Sequence, residues 1–268
     1  MRPGSPPIIL GPVAASLPVI GERRPEPRAE GPNGLLARVL VAAPQASPIL
    51  ARLDRHALCR SDRLQDRAVA EACASKPDLV VVLAHDAQFL APAAHAVQSA
   101  QRAGALAFLG FAPAEGEPVP ELLSLSRDLG CAVILCDPAL GALGLADLAA
   151  APIESIGEHG LIGIDFADLR RLMEGMATGV FTEVSLPAPV AADLTELGHF
   201  LVERLPAATA GLWLHLRGGP ALKLSELSRV TEAVARAAPA DANLCFASTI
   251  GPDLATLELC VMALVRGP

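Results

Sequence analysis

The chain has 268 residues, 52% of them hydrophobic and 19% charged, with a mean hydropathy of +0.43, which is enough apolar material for one large core or two modest ones. A formal charge of −8 opposes binding to nucleic acid, and 3% aromatic residues with no Tyr exclude a base-stacking platform. Charge or Pro interrupts every apolar run short of the roughly 18–20 residues a spanning helix needs, so no transmembrane segment is expected.

Residues 1–33 are rich in Pro, Gly, Arg and Glu without periodicity and read as a flexible tail. The prolines also break up the apolar stretch a secretory signal would need, so a cytoplasmic protein is expected. Leu35 to Ala43 is a continuous apolar run suited to a buried parallel strand. Leu50 to Ala74 spaces its apolar residues among Arg, Asp and Gln and reads as one or two surface helices. A repeating pattern follows: strand Asp78 to Ala84, helix Ala91 to Ala103, strand Ala105 to Phe111, helix Glu121 to Leu129, strand Cys131 to Cys136. Such alternation implies an α/β fold with a doubly wound, mostly parallel sheet.

The second half differs. Helices are expected from about Asp165 to Met176, over Val190 to Leu205 and over Leu222 to Ala238. Strands are expected at Gly211 to Arg217, Asn243 to Ile250 and Leu257 to Val265. This composition suggests a smaller α+β domain packed on the first one. The expected divisions are 1–33, 34–150, a shortened connecting helix and loop at 151–185, and 186–268.

The cysteines, Cys59, Cys73, Cys131, Cys136, Cys245 and Cys260, lie scattered in apolar surroundings without zinc-type spacing and read as reduced core thiols. His85-Asp86 sits at a strand end, where open α/β sheets place ligands, but no nucleophile is adjacent in sequence. Gly218-Gly219 followed by Pro220 reads as a plain connection. His56, His95, His159, His199 and His215 show no ligand spacing. No metal site is expected.

The segment GLIGIDFADLRRLMEGM, Gly160 to Met176, resembles the synergy-loop region of the bacterial tubulin homologue FtsZ. In chain order, Gly211 to Pro220, Asp241 to Asp253 and Leu257 to Val265 also resemble that family's C-terminal domain, and the first-half strands resemble its GTPase domain. The resemblance implies a tubulin/FtsZ-like fold over roughly residues 35–265 and a filament-contact loop made of Gly163, Ile164, Asp165, Phe166 and Asp168. In the family, acidic residues of this loop reach the nucleotide of the next subunit. Asp165 and Asp168 would carry that role in trans, although Gly163 replaces the family's Asn. Both also suit a plainer task, because acidic residues at a helix start cap its free amides; capping accounts most readily for Asp165.

The phosphate loops depart from the family. Family members use glycines there because only glycine lets the backbone approach phosphate closely. Here the first loop is Ala42-Ala43-Pro44-Gln45-Ala46-Ser47-Pro48, and where the family has GGGTGTG the chain has His85 to Pro92. Only Asp137 to His159 spans the region of the family's long central helix. GTP binding is therefore expected to be lost, and no cofactor is expected. The expected function is that of a non-enzymatic pseudo-GTPase which binds an FtsZ-type filament subunit and caps or modulates assembly. The alternatives are activation of a partner's GTP hydrolysis in trans, residual nucleotide binding, or a repurposed scaffold or homodimer. The family's acidic-apolar C-terminal peptide is missing after Val265, so direct membrane recruitment is not expected.

Overall fold

A computed structural model describes residues 35–43, 47–54, 59–113, 121–158, 160–187, 189–190, 194–251, 254 and 256–268. The expected N-terminal tail, Pro44, Gln45 and Ala46 of the first loop, and His56 and His159 lie outside these.

Nine strands form one sheet: β1 (Ala37–Ala42), β2 (Arg60–Arg63), β3 (Leu79–His85), β4 (Leu106–Ala112), β5 (Val133–Cys136), β6 (Met176–Pro187), β7 (Thr209–Gly218), β8 (Asn243–Ile250) and β9 (Thr256–Arg266). Their order is β2-β1-β3-β4-β5-β6-β9-β7-β8. All pairs are parallel except those made by β9, which runs antiparallel between β6 and β7. The helices are α1 (Pro48–Leu53), α2 (Asp66–Ala74), α3 (Leu90–Arg102), α4 (Leu122–Leu129), α5 (Gly141–Gly157), α6 (Phe166–Met173), α7 (Thr195–Arg204) and α8 (Leu224–Ala237).

The strands read from apolar runs are present. β3 shows why: Leu79, Val81 and Leu83 face one core cluster and Val80, Val82 and Ala84 another, all fully buried, so a central parallel strand is apolar on both faces. Two strands were not foreseen. β2 is a short polar edge strand, Arg-Ser-Asp-Arg, and it carries no apolar signal. β6 contains Gly179 and Glu183, residues that weaken a strand signature. Gly179 is there for space, since a Cβ would come within 2.6 Å of the Ala263 carbonyl oxygen on β9.

β6 pairs with β5 from Val133↔Thr178 to Cys136↔Phe181 and with β9 along nearly its whole length. It thereby joins the parallel half of the sheet to the mixed α+β half. The boundaries expected at 150/151 and 185/186 fall inside α5 and β6.

One face of the sheet is covered by α1, α5 and α6. The other is covered by α2, α3 and α4 in the first half and by α7 and α8 in the second. Every residue of α5 from Gly144 to Gly157 is buried, the state of a helix that is apolar all round. The span Pro138–Gly157 meets the length and mean hydropathy of a membrane-crossing helix, contrary to the sequence expectation, but 72% of its window is buried inside the protein. Pro152 lies inside α5, which continues through it, and deprives the Leu148 carbonyl of its usual amide donor. Because Leu148 is fully buried, Leu148→Ala is expected to cost about 2–5 kcal/mol in urea denaturation.

Candidate functional site

The acidic loop leaves α5 at Gly157 and enters α6 at Phe166. Its first part is fastened to β8: Ser248 N donates to the Ile162 carbonyl at 2.8 Å, and Ile162 N donates to Ser248 Oγ at 3.0 Å. A Cβ on Gly160 would collide with the Ser248 carbonyl oxygen, so only glycine fits this approach. Gly163, by contrast, is exposed, and a Cβ there would meet nothing within 4 Å.

Beyond Gly163 the backbone is held by a capping box. Asp165 Oδ1 accepts from Asp168 N at 2.9 Å, and Asp168 Oδ2 accepts from Asp165 N at 3.2 Å. Capping therefore employs both aspartates, not Asp165 alone. The second oxygen of each carboxylate has no hydrogen-bond partner among the described residues, and both side chains are exposed. Ile164 packs partly into the core, and the Phe166 ring lies under the Arg170 guanidinium at 5.0 Å. Leu169, Leu172 and Met173 anchor α6. The five expected contact residues thus form one surface feature with an anchored base.

A second region lies at the carboxyl ends of β1, β3, β4 and β5, the position of the ligand crevice in open α/β sheets. α5 begins beside it, and its 17 residues carry the chain roughly 25 Å away before the acidic loop starts. At the end of β3, Asp86 has φ +97°, a conformation rare for any residue but glycine. Its Oδ1 accepts from Gln88 N at 3.0 Å and its Oδ2 from Gln88 Nε2 at 2.6 Å. Phe89 N donates to the Asp86 carbonyl, and Pro92 has no amide to give. The Gln88 and Phe89 amides of this turn are thus already bonded, with the Asp86 carboxylate beside them.

At the end of β5, Asp137 Oδ2 accepts from Thr182 Oγ1 and from Arg204 Nε, each at 2.9 Å, while its Oδ1 accepts from Ala139 N at 3.0 Å. Burial opposes ionisation there, but the Ala139 amide and Arg204 hold the Asp137 carboxyl below its ordinary range. Gly219 approaches the Leu254 carbonyl too closely for any side chain, in keeping with a structural connection after β7.

A third constellation escaped the sequence reading. Arg217 on β7, only 7% exposed, donates through Nε to Glu154 Oε2 at 2.9 Å and stands 3.4 Å from Asp147 Oδ1 and 3.6 Å from Glu258 Oε2. Arg52 on α1 also donates to Asp147 Oδ1, at 3.0 Å. Burial alone would lower the pKa of Arg217, yet the surrounding Cys260, Glu154 and Asp147 raise it. On β6, burial and then the Asp147 charge push the Glu183 carboxyl up to about 7. Burial and the Arg217 charge pull His215 down to about 3, so its ring is neutral, with Nε2 3.0 Å from Thr249 Oγ1. The available signal was a pair of acids seven apart in an otherwise apolar helix, and His215 and Arg217 two apart in an apolar strand. Among the described residues, no three His, Cys, Asp or Glu side chains are arranged to hold a metal ion.

No family model matches the sequence. The structure is similar to FtsZ of M. jannaschii (TM-score 0.67, 13% identity, covering 87% of this chain and 92% of that one). It is also similar to CetZ of Methanosaeta thermophila (0.60, 14%, 87% and 88%) and to TubZ of Bacillus thuringiensis serovar israelensis (0.56, 9%, 87% and 86%). The chain has the tubulin/FtsZ fold.

Two outcomes are expected from this geometry. An unfolded glutamate ionises near 4.5 and Glu183 in the fold near 7. The stability linked to its protonated form is therefore complete at acid pH and is lost as pH rises through 7. Glu183→Gln should flatten that loss and raise stability at pH 8 by about 1–2 kcal/mol after discounting for solvent screening, read from melting curves across pH. Gly160→Ala should lower the melting temperature, whereas Gly163→Asn should leave it unchanged, since only the first position meets the β8 backbone.

Proposed function

We propose that this protein is a pseudo-GTPase that docks its Gly163–Asp168 loop on an FtsZ-type filament subunit and caps or modulates assembly. One contrast carries the proposal: an exposed acidic loop, with two carboxylate oxygens unbonded among the described residues, stands at one end of α5, while at the other end Asp86 engages backbone and side-chain donors in the crevice. The fold supports it too, since the TubZ relative was solved as GDP-form protofilaments. A subunit able to offer one contact but unable to hold a nucleotide would terminate a head-to-tail chain.

A second reading shares the loop. The unbonded oxygens of Asp165 and Asp168 are placed to polarise a water against a partner's nucleotide, which would stimulate hydrolysis in trans. Light scattering and GTP turnover of an FtsZ-type polymer, with and without this protein, separate the two. Capping predicts less polymer at substoichiometric amounts; stimulation predicts faster turnover. Asp165→Asn/Asp168→Asn keeps residues that can cap a helix but removes both charges, and it should abolish either effect. Unchanged polymer and turnover would overturn both readings and leave a scaffold or homodimer with another partner. Titration with GTP is expected to show no binding, and a saturable signal would refute the pseudo-GTPase assignment.

A further inference from the structure

Three successive inward positions of β7 carry polar atoms that lack hydrogen-bond partners among the described residues: Trp213 Nε1, His215 Nδ1 and Arg217 Nη2. Trp213 and His215 are completely buried and Arg217 is 7% exposed. They lie on the sheet face that meets α5, because Arg217 reaches Glu154 and Asp147 on that helix and Trp213 belongs to the same core. Buried polar groups of folded proteins are bonded to protein or to ordered water, so three in a row on one strand indicate a bound species.

The chemistry of the atoms selects that species. Indole Nε1 and guanidinium Nη2 only donate, so whatever meets them must accept. Among the described residues, Asp147, Glu154, Glu183 and Glu258 stand around Arg217 and Arg52, an acidic surrounding that opposes an anion. An apolar occupant would leave the donors unbonded. Neutral His215 offers Nδ1 as acceptor or donor according to its tautomer, and a neutral molecule able to do both fits either case.

We infer that the seam between α5 and β7 is an internal hydration site, a short file of ordered water that accepts from Trp213 Nε1 and Arg217 Nη2 and bonds His215 Nδ1. Positions 213 to 217 span about 13 Å of strand, too far for one molecule and suited to two or three. Globular proteins hold about one buried water per 27 residues, so a file of this size is ordinary for a chain of this length. The water makes this part of the α5 contact an exchangeable polar layer beside an otherwise apolar core.

The chain has one Trp, so its single indole N–H resonance reports this position alone. Magnetisation transfer from water to that proton is measured in laboratory and rotating frames on the full chain, and Trp213→Phe confirms the assignment by removing the peak. The expected result is a dipolar cross-peak with the sign of a long-lived internal water. An absent peak, or one whose sign shows only chemical exchange, overturns the inference.

Discussion

Arg217 is the charge around which the two halves of the molecule are arranged. It projects from β7, inside the second half, yet its partners Asp147 and Glu154 stand on α5, which begins where the first half ends. Asp147 in turn takes Arg52 from α1. Isolated burial of any of these ions would be strongly unfavourable, and removal of one partner from such a pair commonly costs about 3–5 kcal/mol. The network therefore fixes which face α5 turns to the sheet. Apolar packing of a helix that is hydrophobic all round would not by itself choose one rotation about its axis.

With α5 held in this orientation, the two regions of interest become the two ends of one rigid element. The crevice at its start is closed in on itself: Asp86 binds Gln88, and Asp137 is shared among Ala139, Thr182 and Arg204. The loop at its finish is open, with its backbone tied to β8 and its carboxylates turned partly outward. Gly160 is central to that anchoring, because the loop can lie against Ser248 only where no side chain intervenes.

Much of the fold was legible in the sequence because parallel strands buried on both faces are continuous apolar runs, as in β3 and β4. β2 was hidden because all four of its residues, Arg60 to Arg63, are polar, and they join the sheet by backbone pairing with the apolar Val39, Leu40 and Val41 as well as Arg38 of β1. α5 lacked the polar stripe that marks most helices, so its extent was underestimated. The turn from Gly160 into α6 was read through its resemblance to a family segment, and the capping box the structure shows there follows from two aspartates three apart. The Arg217 network was not, since its bonds join residues 63 and 95 positions apart. No local pattern records a partnership of that kind, although two acids inside an apolar helix mark a place where one must exist.

The fastening of Ile162 to Ser248 has a consequence for how copies of this chain can meet. An open sheet exposes two unpaired borders, each a template for endless side-by-side growth. Here β2 ends one border in arginines on a strand of four residues, and the Ile162 contact occupies part of the other. Lateral fusion of sheets is thereby discouraged on both flanks.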